Sequence, residues 1–442
     1  APVASLAGGN IPWKKLCGVE DDITSLDWKG DDVYLLSHKN APRFQVLHTQ
    51  FSKPDVAHAS IVVPESQALI KGLAAAADAV YVQQLDGGLG RLVRVPFAGG
   101  AEKQVAQPVT LPAEGIVAIA AADERVPGVL LTIDSWTKAQ VIYAYDPANG
   151  KATDTKLQPL GRFDNPGDLQ SLEVKAKSYD GTMVPLSIVF KKGTKLDGSN
   201  PTILEGYGAY GITEDPFFDP AFLTWYERGG IFAFAHVRGG GEYGEEWHLA
   251  GKKLTKPNTW KDAIACAQYL IDQKYTSSAK LAILGGSAGG IFVGRSITER
   301  PDLFAAAFDM VPMSDTVRSE FSPNGPPNVP EFGTVTEADG FKALYEMSAY
   351  GHIKDGTPYP AVMVTTGWND PRVVSWEPGK MAARLQAATS SGKPVLLRVD
   401  YDAGHGIGST KTQRDELYGD IFSFALWQFG VAGFQPAGTA GN

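Results

Sequence analysis

The chain has 442 residues, 43% of them hydrophobic and 20% charged, with a net charge of −9. At roughly 150 residues per domain this is two or three domains of ordinary globular composition, which excludes a disordered chain. No apolar run approaches the roughly 18 residues of a membrane-spanning helix, and an acidic chain without a Lys/Arg stripe repels a polyphosphate, so neither a membrane nor a nucleic acid is an expected partner. Cys17 and Cys266 are too few for a disulfide framework or a zinc site and read as ordinary thiols. The chain starts at Ala1 without a basic stretch leading into an apolar one. Either a leader has been removed or the chain begins partway through a longer protein, and cytoplasm and periplasm both stay open.

Residues 1–168 read as β-structure. Short apolar runs at 32–36, 44–47, 79–82, 92–95, 128–131 and 141–145 are separated by Gly, Pro, Asp and Asn. The runs recur: Val33, Val80 and Val129 begin equivalent strands, and Gln45, Val93 and Val141 their partners. A repeat of roughly 50 residues built from short strands marks a β-propeller blade. About three blades fit, so the propeller is expected to be incomplete on its N-terminal side; a β-sandwich with evenly spaced strands is the alternative.

From 169 to 442 the pattern changes. Asp180-Gly181 between two apolar runs signals a hairpin. Apolar strands at 202–204, 231–235, 281–284, 304–310, 360–365 and 394–399 then alternate with amphipathic helices, including 260–273 and 416–429. Such alternation predicts a mostly parallel sheet with helices on both faces, the α/β-hydrolase class.

Gly285-Gly286-Ser287-Ala288-Gly289 follows an apolar strand and precedes a helical stretch. This is the context of a nucleophile elbow, where a strained turn exposes the serine hydroxyl and small residues at 285 and 289 let the turn close. A serine needs a base and an acid that orients it, and in this fold class they follow in the order acid, then histidine. His405, in a glycine-flanked loop after the strand 394–399, is the base; His352 lacks a preceding strand and reads as a surface or capping residue. Asp370, in the loop after 361–365, is the acid. Asp302 and Asp315 read as caps or structural acids, and Asp400 and Asp402 lie too close in sequence to fold back onto the imidazole. Oxyanion donors are expected from the Ala288 N–H and from the glycine-dense loop 205–211, where a tyrosine hydroxyl is available.

Five stretches taken together resemble the prolyl oligopeptidase family of serine peptidases: Gly206-Tyr207-Gly208-Ala209-Tyr210-Gly211, the run 237–244, Gly285 to Gly290, Asp370-Pro371-Arg372-Val373-Val374, and Ala403-Gly404-His405-Gly406. The resemblance implies a propeller preceding an α/β-hydrolase domain and an enzyme cutting short peptides, with post-proline cleavage first. It implies Tyr207 as the oxyanion-hole tyrosine, Arg372 as the ligand of a substrate carbonyl, and Tyr210, Met313, Phe332 and Val373 around the S1 pocket. Asn328 falls where prolyl-specific members stack a tryptophan and the oligopeptidase B branch, which cuts after basic residues, carries a glutamate nearby. Residues 365–367 and 376–378 look more like that branch. An apolar S1 lining without a carboxylate is nevertheless expected, favouring an uncharged side chain. Early blades and the N-terminal part of the hydrolase domain have no counterpart, so a missing N-terminal polypeptide is a possible partner. An acylaminoacyl-peptidase-like hydrolase or esterase, and an inactive peptide-binding fragment, are the other readings. The chemistry requires no metal and no organic cofactor, and no cluster of ligating side chains points to one.

Overall fold

The computed structural model of the chain describes residues 1, 3–86, 89–97, 105–406 and 409–436. The chain divides into two compact units. The first is Ala1–Asn165 with the short segments Asp215–Phe218 and Tyr243–Glu245, and the second is the remainder.

The first unit holds three four-stranded antiparallel sheets. They comprise β1 (Ile23–Lys29), β2 (Asp32–Ser37), β3 (Gln45–Gln50) and β4 (Ser60–Val63); β5 (Leu69–Ala75), β6 (Ala79–Asp86), β7 (Leu89–Pro96) and β8 (Gln107–Pro108); and β9 (Ile116–Asp123), β10 (Val126–Asp134), β11 (Val141–Asp146) and β12 (Lys151–Asp154). Each sheet is a meander, and β1, β5 and β9 lie side by side in succession. The residues that mark the repeat, Val33, Val80 and Val129, fall on the second strand of each sheet. Successive side chains point to opposite faces of a strand. Val80 and Val82 therefore join Tyr34, Leu36 and Val46 in one core, while Ala79 and Tyr81 join Val117, Val129 and Leu131 in the next. The middle sheet is covered on both faces. That is why its second strand is an unbroken apolar run rather than an alternating one, as in the stacked blades of a propeller.

The second unit is built on one eight-stranded sheet of order β13-β14-β16-β15-β17-β18-β19-β20. The strands are β13 (Leu169–Lys177), β14 (Met183–Lys191), β15 (Thr202–Gly206), β16 (Ile231–Ala235), β17 (Leu281–Gly286), β18 (Ala306–Met310), β19 (Ala361–Gly367) and β20 (Val395–Asp400). β13 and β14 are the antiparallel hairpin around Gly181; from β16 to β20 every pairing is parallel. This is the α/β-hydrolase arrangement. The strand β16 shows how both faces are filled. Ile231, Ala233 and Ala235 face a core with Cys266 and Leu270 of the helix Pro257–Asp272 and Phe292 and Ile297 of the helix Gly289–Glu299. Phe232 and Phe234 face the other way, where Phe222 stacks on Phe232 at 4.7 Å and Phe422 of the helix Lys411–Gln428 meets it at 6.1 Å. Each buried leucine, isoleucine or phenylalanine here contributes roughly 1.5–3 kcal/mol. No described helix is long and apolar enough to cross a membrane.

Candidate active site

In a parallel sheet the loops that follow the strands share one edge, and ligand sites form there. Four such loops, after β15, β17, β19 and β20, carry the chemical side chains of the second unit.

The chain leaves β17 at Gly286 and enters the helix Gly289–Glu299 within three residues. Ser287 takes a φ of +59°, a left-handed conformation that costs a non-glycine residue on the order of 1 kcal/mol. The turn is held by backbone bonds: Ser287 N–H to Met310 C=O, and Gly290 N–H and Met313 N–H to Ser287 C=O, each 2.9 Å. A Cβ on Gly285 would sit 2.8 Å from the Gly289 carbonyl oxygen, and one on Gly289 would sit 3.1 Å from that of Gly206. The crowding explains why small residues flank the serine.

Asp370 lies in the loop after β19, almost fully buried. Its Oδ1 accepts the N–H groups of Arg372 at 2.8 Å and Val373 at 3.0 Å, and its Oδ2 meets His405 Nδ1 at 2.6 Å. Burial alone would raise the carboxyl pKa; the imidazole and the two N–H donors outweigh it and hold the group below the usual carboxylate range. His405 follows β20, and its loop is locked to the Asp370 loop. Trp368 N–H donates to Asp400 C=O at 2.8 Å and Asn369 N–H to Ala403 C=O at 3.1 Å. A Cβ on Gly367 would lie 2.0 Å from the Gly404 carbonyl oxygen, so only glycine lets the two backbones approach this closely.

From the loop after β15, the Tyr207 side chain lies near that of Ser287, close enough for the serine to influence the ionisation of the phenol. Burial raises the phenol pKa, while the serine contact and the positive charge of Arg372 oppose the rise. Beside the serine a small cleft is lined by Ser287, Ala288, Tyr210, Met313, Asn328, Arg372 and Val373. Phe332 is absent from that lining. It is buried behind Tyr210, whose ring meets it edge-on at 5.4 Å, and belongs to the core with Met313 and Ala288. Asn328 is anchored by protein groups: its Oδ1 accepts from Tyr210 OH at 2.9 Å and its Nδ2 donates to Asn324 C=O at 2.8 Å.

The apolar cleft expected from the sequence is corrected here. Ser319, Ser322, Asn324 and Glu377 complete its lining, so the lining contains a carboxyl group. Glu377 is 2% exposed and burial pushes its pKa up to about 7. Its Oε1 accepts from Ser319 Oγ at 2.9 Å and its Oε2 from Asp315 N–H at 3.3 Å. Sequence reasoning notes the stretch 376–378 only as resembling the oligopeptidase B branch and does not place Glu377 in the cleft, because an acid just before a proline at a helix start reads as an ordinary first-turn residue. Ser319, Ser322 and Asn324 sit in an aperiodic Pro/Gly/Ser stretch, whose only signal was its position between β18 and Phe332. The set-aside residues fall outside the cleft lining. His352 Nδ1 meets Ser348 C=O at 2.8 Å at the end of a short helix, and Asp302 pairs with Arg300 at 2.7 Å. Asp315 sits at the start of the helix Thr316–Ser319 and pairs with Lys380. Among the described residues no group of three or more His, Cys, Asp or Glu could hold a metal ion.

The chain is 33% identical over 426 residues to the prolyl endopeptidase of Elizabethkingia meningoseptica, an alignment covering 94% of this chain and 58% of that protein. It is 33% identical over 307 residues to Protease 2 of Moraxella lacunata, covering 69% of this chain and 44% of that one. Among solved structures, a prolyl endopeptidase superposes with a TM-score of 0.86 at 32% identity, over 92% of this chain and 59% of that one. Oligopeptidase B from Trypanosoma brucei with covalently bound antipain superposes with a TM-score of 0.84 at 30% identity, again over 92% and 59%. The chain thus spans less than two thirds of the relatives it matches. The profile of the prolyl oligopeptidase N-terminal beta-propeller domain matches residues 4–158 and that of the prolyl oligopeptidase family residues 216–432, and the chain belongs to the prolyl oligopeptidase family.

Proposed function

We propose that the chain carries the catalytic apparatus of a serine endopeptidase that hydrolyses short peptides, cutting on the carboxyl side of proline. The observation that supports this most directly is the 2.6 Å contact between His405 Nδ1 and the buried Asp370 carboxylate, at the same sheet edge as a serine on a strained elbow. In this reading Asp370 fixes the imidazole tautomer so that Nε2 accepts the Ser287 proton as Oγ attacks the scissile carbonyl. The tetrahedral oxyanion takes hydrogen bonds from Tyr207 OH and Ala288 N–H. His405 then protonates the leaving amine, and a water it activates hydrolyses the acyl-enzyme. Arg372 binds a substrate carbonyl, and Tyr210, Met313 and Val373 give the S1 cleft its apolar wall, with Phe332 supporting Tyr210. A fluorophosphonate probe is expected to label Ser287 at neutral pH and to leave Ser287→Ala unlabelled. An intact protein that fails to react would overturn the proposal.

One observation favours a second reading. The Glu377 carboxyl in the cleft lining suits a basic P1 side chain, the preference of the oligopeptidase B branch. Peptides differing only in proline or arginine at P1 separate the two.

A further inference from the structure

The loop that bears Tyr207 leaves the sheet at Gly206, the last residue of β15. Beyond it the backbone is in the left-handed region at Gly208 (φ +71°), Tyr210 (φ +58°) and Gly211 (φ +65°). A tyrosine in that region is strained, and such a conformation persists only where its surroundings over-determine it.

Two buried charges flank this stretch. Lys256, fully buried, donates from Nζ to the Gly208 carbonyl, and Thr259 Oγ1 reaches the same oxygen at 3.4 Å. Glu331, 5% exposed, accepts the Tyr210 N–H on Oε1 at 2.8 Å and holds His248 Nε2 on Oε2 at 2.8 Å. One charge thus grips the carbonyl directly after Tyr207 and the opposite charge grips the N–H two residues further on. Burying either charge is costly unless it is hydrogen-bonded, and charge-assisted bonds are the strong ones. Burial lowers the lysine pKa to about 8, with the Glu331 charge acting against that shift.

We infer that Lys256 and Glu331 are positioning residues that clamp the Gly208–Tyr210 backbone and so hold the Tyr207 hydroxyl where the oxyanion of the proposed reaction forms. The inference rests on the peptidase reading, in which Tyr207 is an oxyanion donor. Neither residue lines the cleft; Lys256 grips the backbone next to Tyr207, whereas Glu331 also holds the backbone of Tyr210, which does line it, so the separation of kcat from KM is read on Lys256.

The test is a double-mutant cycle on the full chain, with Lys256→Met, Tyr207→Phe and both together, read by kcat and KM on a peptide substrate. It is joined by the affinities of a peptide aldehyde, which forms a tetrahedral adduct with the serine, and of the matching peptide amide. Lys256→Met is expected to lower kcat and weaken the aldehyde roughly 10–100-fold, part of what a lost oxyanion donor costs. KM and amide affinity are expected to change by less than about threefold, because uniform binding is untouched. In the Tyr207→Phe background Lys256→Met should cost nothing more. Full additivity, equal loss of aldehyde and amide affinity, or an unchanged kcat overturns the inference while leaving the peptidase reading intact. An unchanged kcat in Tyr207→Phe alone removes the oxyanion reading and the inference with it. Should Lys256→Met not fold, Glu331→Gln replaces it in the same cycle with the same expected non-additivity.

Discussion

In the second reading proposed above, Glu377 would set selectivity without touching the bond being broken. Its carboxyl, raised to about 7 by burial, passes from neutral to charged across the pH range in which a histidine-based hydrolase works. In that reading a neutral acid would accommodate an apolar P1 group, and a carboxylate would attract a cation. The preference for arginine over proline at P1, measured as a ratio of kcat/KM values, is therefore expected to rise between pH 6 and pH 8. In Glu377→Gln that rise should vanish, with the proline rate retained. A ratio that stays flat in the unaltered protein removes Glu377 from specificity. The residue also marks where one-dimensional reasoning stops. The elbow around Ser287, the loop around His405 and the position of Asp370 are legible because each is punctuated by glycine after an apolar strand. Glu377 and Ser319 are 58 residues apart and become neighbours only through packing, so the stretch 376–378 resembles the oligopeptidase B branch without showing that its carboxyl enters the cleft.

Elements are legible to the extent that their periodicity is carried by apolar side chains. β17, β18 and β19 are buried along almost their whole lengths and stand out as apolar runs. The three sheets of the first unit are recognisable from the recurrence of their second and third strands. The final helix is the counter-example. Its apolar face begins late, which suggested a start near 416, yet the helix runs Lys411–Gln428. A capping box explains the early start: Thr410 Oγ1 accepts from Gln413 N–H at 3.2 Å and Gln413 Oε1 accepts from Thr410 N–H at 2.9 Å. That first turn is polar and stabilised by its cap rather than by burial. Thr410→Ala is expected to cost about 1 kcal/mol in denaturant unfolding of the second unit, and Thr410→Ser to cost much less. An unchanged midpoint in the alanine variant would show that the first turn is held by something other than its cap.

At the scale of the whole molecule, buried carboxyl groups set the pH dependence of stability. Asp309 on β18 is fully buried, and neither oxygen has a hydrogen-bond partner among the described residues; burial keeps its pKa well above the usual range. Glu377 and Glu205, the latter pushed up to about 8 by burial, are displaced in the same direction. The unfolded chain releases these protons at ordinary carboxylate pH, while the folded chain keeps them until about pH 7 for Glu377. Stability from this source is complete below the ordinary pKa and is lost as pH rises through the folded one. For Glu377 the loss is on the order of 3 kcal/mol at roughly 1.4 kcal/mol per tenfold change in proton affinity. Asp370 and Glu331 act oppositely, being held low, so their contribution is lost as the pH falls below the carboxylate range. The unfolding temperature is expected to peak in mildly acidic solution and to decline toward pH 8. Asp309→Asn, Glu377→Gln and Glu205→Gln combined should flatten the decline; an equally steep one would assign it to other groups. A different vulnerability follows from the contact between Gly367 and Gly404. Two strands that are neighbours in space, but 37 positions apart in the gene, have their chemistry tied together by the absence of a single methyl group. A one-nucleotide change in the Gly367 codon is thus a short evolutionary route from the proposed hydrolase to a silent one, without any alteration to the reactive atoms themselves.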